Sequence, residues 1–161
     1  MAHLIESRLR EKGIPYRLIP LRERARTVKD VVEHALVDLN PEEICKTIIL
    51  KNKTRFFAVL MRGSHMIDFS RVKQLFGETR IASEEEVEEV TGHQPGSISP
   101  LLLSIPLYVD EEVFTLEKIN FGSGNPAYGV EIAVRDLEKA VGFSVVSVSK
   151  PRRKSIKASY L

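Results

Sequence analysis

Lys46, in the stretch ICKTIILK (residues 44–51), opens a short apolar run and stands beside Cys45, the one cysteine of the chain. An ammonium and a thiol at the mouth of a strand that enters a core allow three readings. They can be chemistry, they can be packing, or the lysine can lay its stem along apolar surface and keep its charge in water. Two loops could complete a site around such a group. TGHQPGSISP (91–100) holds two Gly, two Pro and two Ser, and FGSGNPAYG (121–129) is a second backbone-rich turn. Loops of this kind allow close backbone approach and leave N–H groups free, which is the equipment of an oxyanion or phosphate cradle.

Other chemistries find less support in the residues. Cys45 and His93 could form a nucleophile–base pair, but no spacing ties them, and a cysteine beside an apolar strand usually packs as a small hydrophobe. His3, His34, His65 and His93 share no metal-ligand spacing and there is no CxxC, so no metal is expected. A Schiff-base lysine would need a phosphate-cofactor signature, and the GxGxxG and GxxxxGKS patterns are absent, so no cofactor is expected.

The chain has 161 residues, 43% hydrophobic and 29% charged, enough for one domain with a real core. Charges recur every few residues in MAHLIESRLREKG, unlike a signal peptide, and the longest apolar stretch, LLLSIPLYV, is too short to cross a bilayer. A lone cysteine cannot close an intramolecular disulfide, which fits a reducing cytoplasm. A cytoplasmic protein without a membrane partner is expected. The net charge of +2 is unevenly placed: residues 1–29 hold eight Lys/Arg against three Glu, SEEEVEEV holds five Glu, and KPRRKSIKASYL holds five bases and no acid. A basic N-terminal third and a basic end point to a polyanion met on one side, although charge alone is equally served by solvated surface.

These groups must be positioned by the elements around them. AHLIESRLREKG reads as an amphipathic helix stopped at Gly13, followed by a strand in PYRLIPL. Thr27 with Asp30 resembles a cap for a helix VKDVVEHAL running to about Leu39, and NPEE restarts a short helical turn. The strand at Lys46 and the strand RFFAVLMR flank a KNKT hairpin, and GSHM (63–66) sits in a turn. DFSRVKQLFG and SEEEVEEVTG are short helices ending in Gly, with ETRIA between them. The apolar segment 101–109, two strands around the GSGNP turn, a helix RDLEKAVG and one closing strand FSVVSVS complete the chain. Strands and helices mix without a strict βαβ rhythm, which implies one α+β domain on a mixed, curved sheet. It should cover residues 1–149, with a basic tail at 150–161.

In combination the motifs are more specific than apart. ICKTIIL, then TGHQPGSISP about fifty residues on, then GSGNP, VEI and DL, resembles the YbaK family, also called the prolyl-tRNA synthetase-associated or aminoacyl-tRNA editing domain family. The resemblance runs from the first helix to RDLEKAV. It implies a barrel-like sheet surrounded by helices, and an enzyme that hydrolyses amino acids from mischarged tRNA without cofactor or metal. At 161 residues a freestanding, trans-acting deacylase is expected, with the tRNA acceptor end, and possible contact with a synthetase, as partners. Family members pair a lysine in a KT strand start with a GxxxP loop, here Lys46-Thr47 and Gly96 to Pro100. The resemblance thus assigns catalysis to Lys46, Gly96, Ser97, Ile98 and Ser99. Substrate contacts would come from Thr47, His93, Pro100, Leu102, Gly122, Ser123 and Gly124. Lys46 would hold phosphate or ribose oxygens, a positioned water would attack the ester, and Cys45 would be a buried hydrophobe. Many relatives carry glycine where this chain has Ser97 and Leu102, so a loop of altered shape is expected. If Leu102 points inward it narrows the site toward Ala, Ser, Cys or Thr, with alanine on proline tRNA as the first substrate to try. A non-catalytic tRNA-binding module and a small-molecule esterase are the rival readings.

Overall fold

The strands β2 (Cys45–Lys51) and β3 (Phe56–Arg62) form a hairpin in register from Cys45↔Arg62 to Lys51↔Phe56, and the rest of the chain packs around it. The computed structural model describes residues 3–23, 25 and 27–152. β3 is central because its apolar run FFAVLMR is covered on both faces. Ala58 and Leu60 pack into one core cluster, and Phe57, Val59 and Met61 into a second. Each large side chain so buried contributes about 1.5–3 kcal/mol.

Among the described residues the strands form three sheets. The largest runs β5 (Arg80–Ile81), β2, β3, β6 (Leu107–Asp110), β9 (Ser144–Val146), with β3–β6 and β6–β9 parallel. A three-stranded antiparallel sheet orders β1 (Arg17–Pro20), β8 (Tyr128–Ala133) and β7 (Lys118–Gly122). β4 (His65–Ile67) pairs with β10 (Ser149–Pro151). This is the α+β, mixed-sheet architecture that the sequence implies, with curved sheets that do not close into a barrel.

Local chemistry explains the helix limits. α1 (His3–Glu11) is followed by Gly13 at φ 68, and α3 (Phe69–Phe76) is capped by the Asp68 carboxylate. α4 (Glu84–Thr91) starts in a capping box between Ser83 and Glu86 and ends at Gly92 with φ 74. The Thr27–Asp30 box starts α2 (Val28–His34), but α2 ends well short of Leu39. Ala35 turns extended, bridges Leu21, and Leu36 N–H donates to Pro20 O at 2.9 Å, so β1 draws this segment out of the helix. The short helix near the end is α5 (Leu137–Ala140), preceded by a 3₁₀ turn.

The one closing strand of the sequence reading is two. The fully buried Asp110 carboxylate accepts from Val148 N–H (2.8 Å), Ser149 N–H (3.0 Å) and Ser149 Oγ (2.6 Å), which breaks β9 from β10. Lys150 and Pro151 therefore lie in a paired strand. The remainder of the basic tail, residues 153–161, lies outside the described residues, as do Arg24 and Arg26. No described helix is long and apolar enough to cross a membrane.

Candidate functional site

The edge of β2 is left partly open. β5 covers it only opposite Leu50 and Lys51. Gly63 N–H donates to Ile44 O on the β3 side, and Ala82 N–H donates to Ile49 O on the other. Alternation along an antiparallel strand then turns the N–H and C=O of Thr47 toward the open edge. A cavity of about 850 Å³ lies against it, lined by Cys45 to Ile49, by Gly96 and Ile98, and by Asn120 to Gly122. Val28 and Val31 of α2 and Ile19 and Gly129 of the three-stranded sheet complete its walls.

Lys46 is half-buried in that wall, and its Nζ donates to the carbonyls of His65 at 2.6 Å and Gly63 at 3.3 Å. The GSH segment thus fixes the ammonium from the far side of the hairpin. Burial pushes the Lys46 pKa down, and the positive charge of Arg152, also on the cavity, adds to the shift. Behind His65 O stands a buried relay, in which His65 Nδ1 lies 3.1 Å from Ser149 Oγ and Ser149 is bonded to Asp110.

The two Gly-rich loops meet. Gly124 N–H donates to Ser97 O at 2.7 Å. A Cβ on Gly122 would lie 2.4 Å from Ile98 O, so only glycine permits this backbone contact. Gly96 has φ 90, while no described non-glycine residue has positive φ, so Ser97 needs no left-handed backbone. Its N–H and Oγ both donate to Gln94 O, at 3.2 and 3.0 Å, and close the turn. Ser99 Oγ accepts from Leu101 N–H and caps the short helix at Pro100.

The expected site residues therefore divide. Lys46, Thr47, Gly96, Ile98 and Gly122 line one cavity. Ser97, Ser99 and Pro100 are buried behind it and shape the loop. Ser123 Oγ donates to Asn125 O and Tyr128 O and holds the second turn. His93 and Leu102 pack against Gly124, with Leu102 Cδ1 3.2 Å from the site of a Cβ there, so Leu102 faces that turn and lies outside the cavity lining. Asn120 was missed by the sequence reading, because a polar residue between Ile119 and Phe121 reads as the solvent side of an alternating strand. It is 2% exposed and lines the cavity.

Cys45 is buried, and burial raises its thiol to about 12 against a smaller lowering by Arg62. A thiol so protonated is a poor nucleophile. Cys45→Ala should keep turnover within about two-fold and lose about 1 kcal/mol from the small cavity created. Total loss of turnover in a folded variant would restore a cysteine mechanism. Asp30, Glu33 and His34 present ligand atoms within 4.8 Å of one another on α2. Asp30 already serves the Thr27 cap, Glu33 lies 3.8 Å from Lys29, and His34 lies 3.7 Å from Glu23.

Comparison with known proteins identifies the family and the fold. Residues 22–140 match the model of the aminoacyl-tRNA editing domain. The proline–tRNA ligase of Caldicellulosiruptor saccharolyticus is 32% identical over 108 residues, covering 66% of this chain and 18% of the ligase. The ligase of Bacillus licheniformis is 32% identical over 107 residues, covering 64% and 18%. The chain thus spans under a fifth of the length of these relatives. Among solved structures, hypothetical protein APE2540 superposes with a TM-score of 0.80 at 29% identity, over 91% of this chain and 99% of that one. A protein described as a candidate trans-editing enzyme for prolyl tRNA synthetase shares the fold, with a TM-score of 0.78 at 22% identity. The match takes in the Lys46 strand start, both glycine-rich loops and the strands between them, and on that extent the chain belongs to the aminoacyl-tRNA editing domain family.

Proposed function

We propose that the chain is an aminoacyl-tRNA deacylase, acting in trans and in the cytoplasm, that hydrolyses the ester between a small mischarged amino acid and the 3′ end of a tRNA. One observation carries the reading. A single cavity at the open edge of β2 gathers a fixed ammonium, Lys46, with the Gly96–Ile98 loop and the Gly122 backbone. The ligases that are 32% identical to part of this chain are named for proline and its tRNA, which makes that tRNA the first to test.

An aminoacyl ester is already activated, so a water held beside it suffices and no covalent nucleophile is needed. The loop serines fit that scheme, since Ser97 Oγ and Ser99 Oγ are committed to the loop backbone. Lys46 and the exposed Arg152 supply positive charge for the terminal phosphate and ribose oxygens. Gly96, Ile98 and Thr47, which line the cavity, would offer backbone N–H groups to the oxyanion that develops on the carbonyl. The apolar side chains Ile48, Ile49, Ile98 and Phe121 on the cavity would select the acyl group by its size and polarity.

Incubating the protein with a panel of mischarged tRNAs and following free amino acid tests the reading. Release of alanine, serine, cysteine or threonine, with little action on aromatic esters, is the expected result. No release from any tRNA would leave a binding module. Equal release from short ester analogues lacking the tRNA body would leave a general esterase.

The basic tail is assigned to phosphate contact. Removing residues 153–161 should weaken tRNA binding several-fold and reduce the slope of log K against log salt, because fewer counterions are released. The thermal midpoint should not move. An identical salt slope for the shortened chain would make the tail a bystander.

A further inference from the structure

We infer that Asn120 is a specificity-determining residue, whose side-chain amide recognises a hydroxyl on the acyl side chain, so that seryl and threonyl esters are preferred to alanyl esters. The inference rests on the deacylase reading and names the substrate class of that site. It starts from an unpaid obligation in the free protein. Asn120 is 2% exposed, and neither its Oδ1 nor its Nδ2 has a hydrogen-bond partner. Buried amide groups left so are rare and call for a physical explanation. The cross-strand neighbour, Glu131, bonds elsewhere, its two carboxylate oxygens accepting from Arg17 Nε at 3.3 Å and Nη2 at 2.8 Å. The flanking residues on β7, Ile119 and Phe121, belong to the apolar core, and Ile44, which bridges Asn120 from just before β2, is 3% exposed. Asn120 lines the cavity, and its amide lies buried just behind that lining with no protein group to meet it.

The donor and acceptor inventory selects the ligand group. An α-ammonium donates only, so it would leave Nδ2 unpaired, and Lys46 and Arg152 on the same cavity repel it. An ester carbonyl accepts only, and would leave Oδ1 unpaired. A hydroxyl donates to Oδ1 and accepts from Nδ2 in turn. The ribose hydroxyls share that chemistry, but they belong with the phosphates near the exposed Arg152, whereas Asn120 is enclosed by apolar residues. Thr47 repeats the signature on the β2 wall, for its Oγ1 is also buried without a partner and the residue lines the same cavity. A site built to bond a hydroxyl discriminates against the analogue that lacks it, because the orphaned groups stay orphaned.

The test compares kcat/KM for one tRNA, proline tRNA, charged either with serine or with alanine, using the full chain. The parent protein should favour the seryl ester by about ten-fold or more. Asn120→Leu should bring the ratio to within about two-fold of unity, and Asn120→Ala should do the same if the leucine variant folds poorly. Because both esters are measured on one preparation, the ratio does not depend on the folded fraction. A structural role would move another readout. Leucine fills the volume and removes two unpaired polar atoms, so the thermal midpoint of Asn120→Leu should match or exceed the parent's. A seryl-to-alanyl ratio near one in the parent overturns the inference while leaving the deacylase reading intact. An unchanged ratio in both variants, including an equal slowing of both esters as a ribose contact would give, overturns the role of Asn120. Release from neither ester overturns the deacylase reading and the inference with it.

Discussion

Lys46→Ala should lower single-turnover deacylation by about a hundred-fold or more, the scale lost when a group that positions the substrate is removed and the reacting ester shifts by about 1 Å. The reason lies in how the ammonium is held. Two carbonyls, of Gly63 and His65, take two of its three protons and leave one direction for substrate. Lys46→Arg should not rescue the loss, since a planar fork cannot reproduce a point charge seated between two carbonyls. The sign of the pH effect follows from burial. Desolvation first, and Arg152 second, hold the Lys46 pKa below the ordinary 10.5, so the ammonium is lost earlier than in a free lysine. After subtraction of the uncatalysed rate, deacylation should decline on the alkaline side at a pH under 10.5. Stability should move the other way. Between the folded pKa and the unfolded one the native state binds fewer protons, so this group's contribution rises with pH across that window. A Lys46→Ala protein with parental turnover would remove Lys46 from the chemistry.

Gly122→Ala should be the most damaging single methyl group in the site. The added Cβ would stand 2.4 Å from Ile98 O, 2.9 Å from Ser97 C and 3.0 Å from Ile98 C, all of them backbone atoms that no rotamer change can withdraw. Overpacking of this kind costs about 1–3 kcal/mol, a fall of roughly 2–12 °C in the midpoint of a chain this size. Activity should fall further than stability, because the strand end and the 96–98 loop must separate. Gly129→Ala is the control for stability, since its nearest contacts, Phe121 O at 3.5 Å and Ile19 Cβ at 3.7 Å, are ordinary. Thermal melts of the two variants that coincide would show that the loops are not locked together.

Where the folding rule is local, the sequence was readable. Thr27 with Asp30, and the glycines ending three helices, are caps set by neighbours within four residues. The apolar run of β3 and its hairpin were readable for the same reason. Long-range hydrogen bonds decided the rest. α2 stops at His34 because β1, far back in the chain, claims Leu36, and β9 breaks from β10 because Asp110 claims Val148 and Ser149. The site was legible in its parts but not in its arrangement. Lys46 and the two loops could be picked out by type, yet the serines between them proved to be committed to backbone, and Leu102 to the side of Gly124. Asn120 was hidden because alternation alone does not say which face of a strand is wet.

The wall of the cavity that β1 and β8 provide pairs Leu18 with Val130, so it joins the beginning of the chain to residues more than a hundred positions later. Closing so large a loop is an entropic cost that must be met before the pairing returns any energy. High contact order slows folding, and the parallel pairings β3–β6 and β6–β9 add to it. On the ribosome, the nascent chain cannot assemble this pocket until the segment through Ala133 has left the exit tunnel. The hairpin of β2 and β3 can form early, but it carries Lys46 with no opposing wall. Completion of the pocket is therefore a late event in the life of each molecule, because its opposing walls come from segments far apart in the chain.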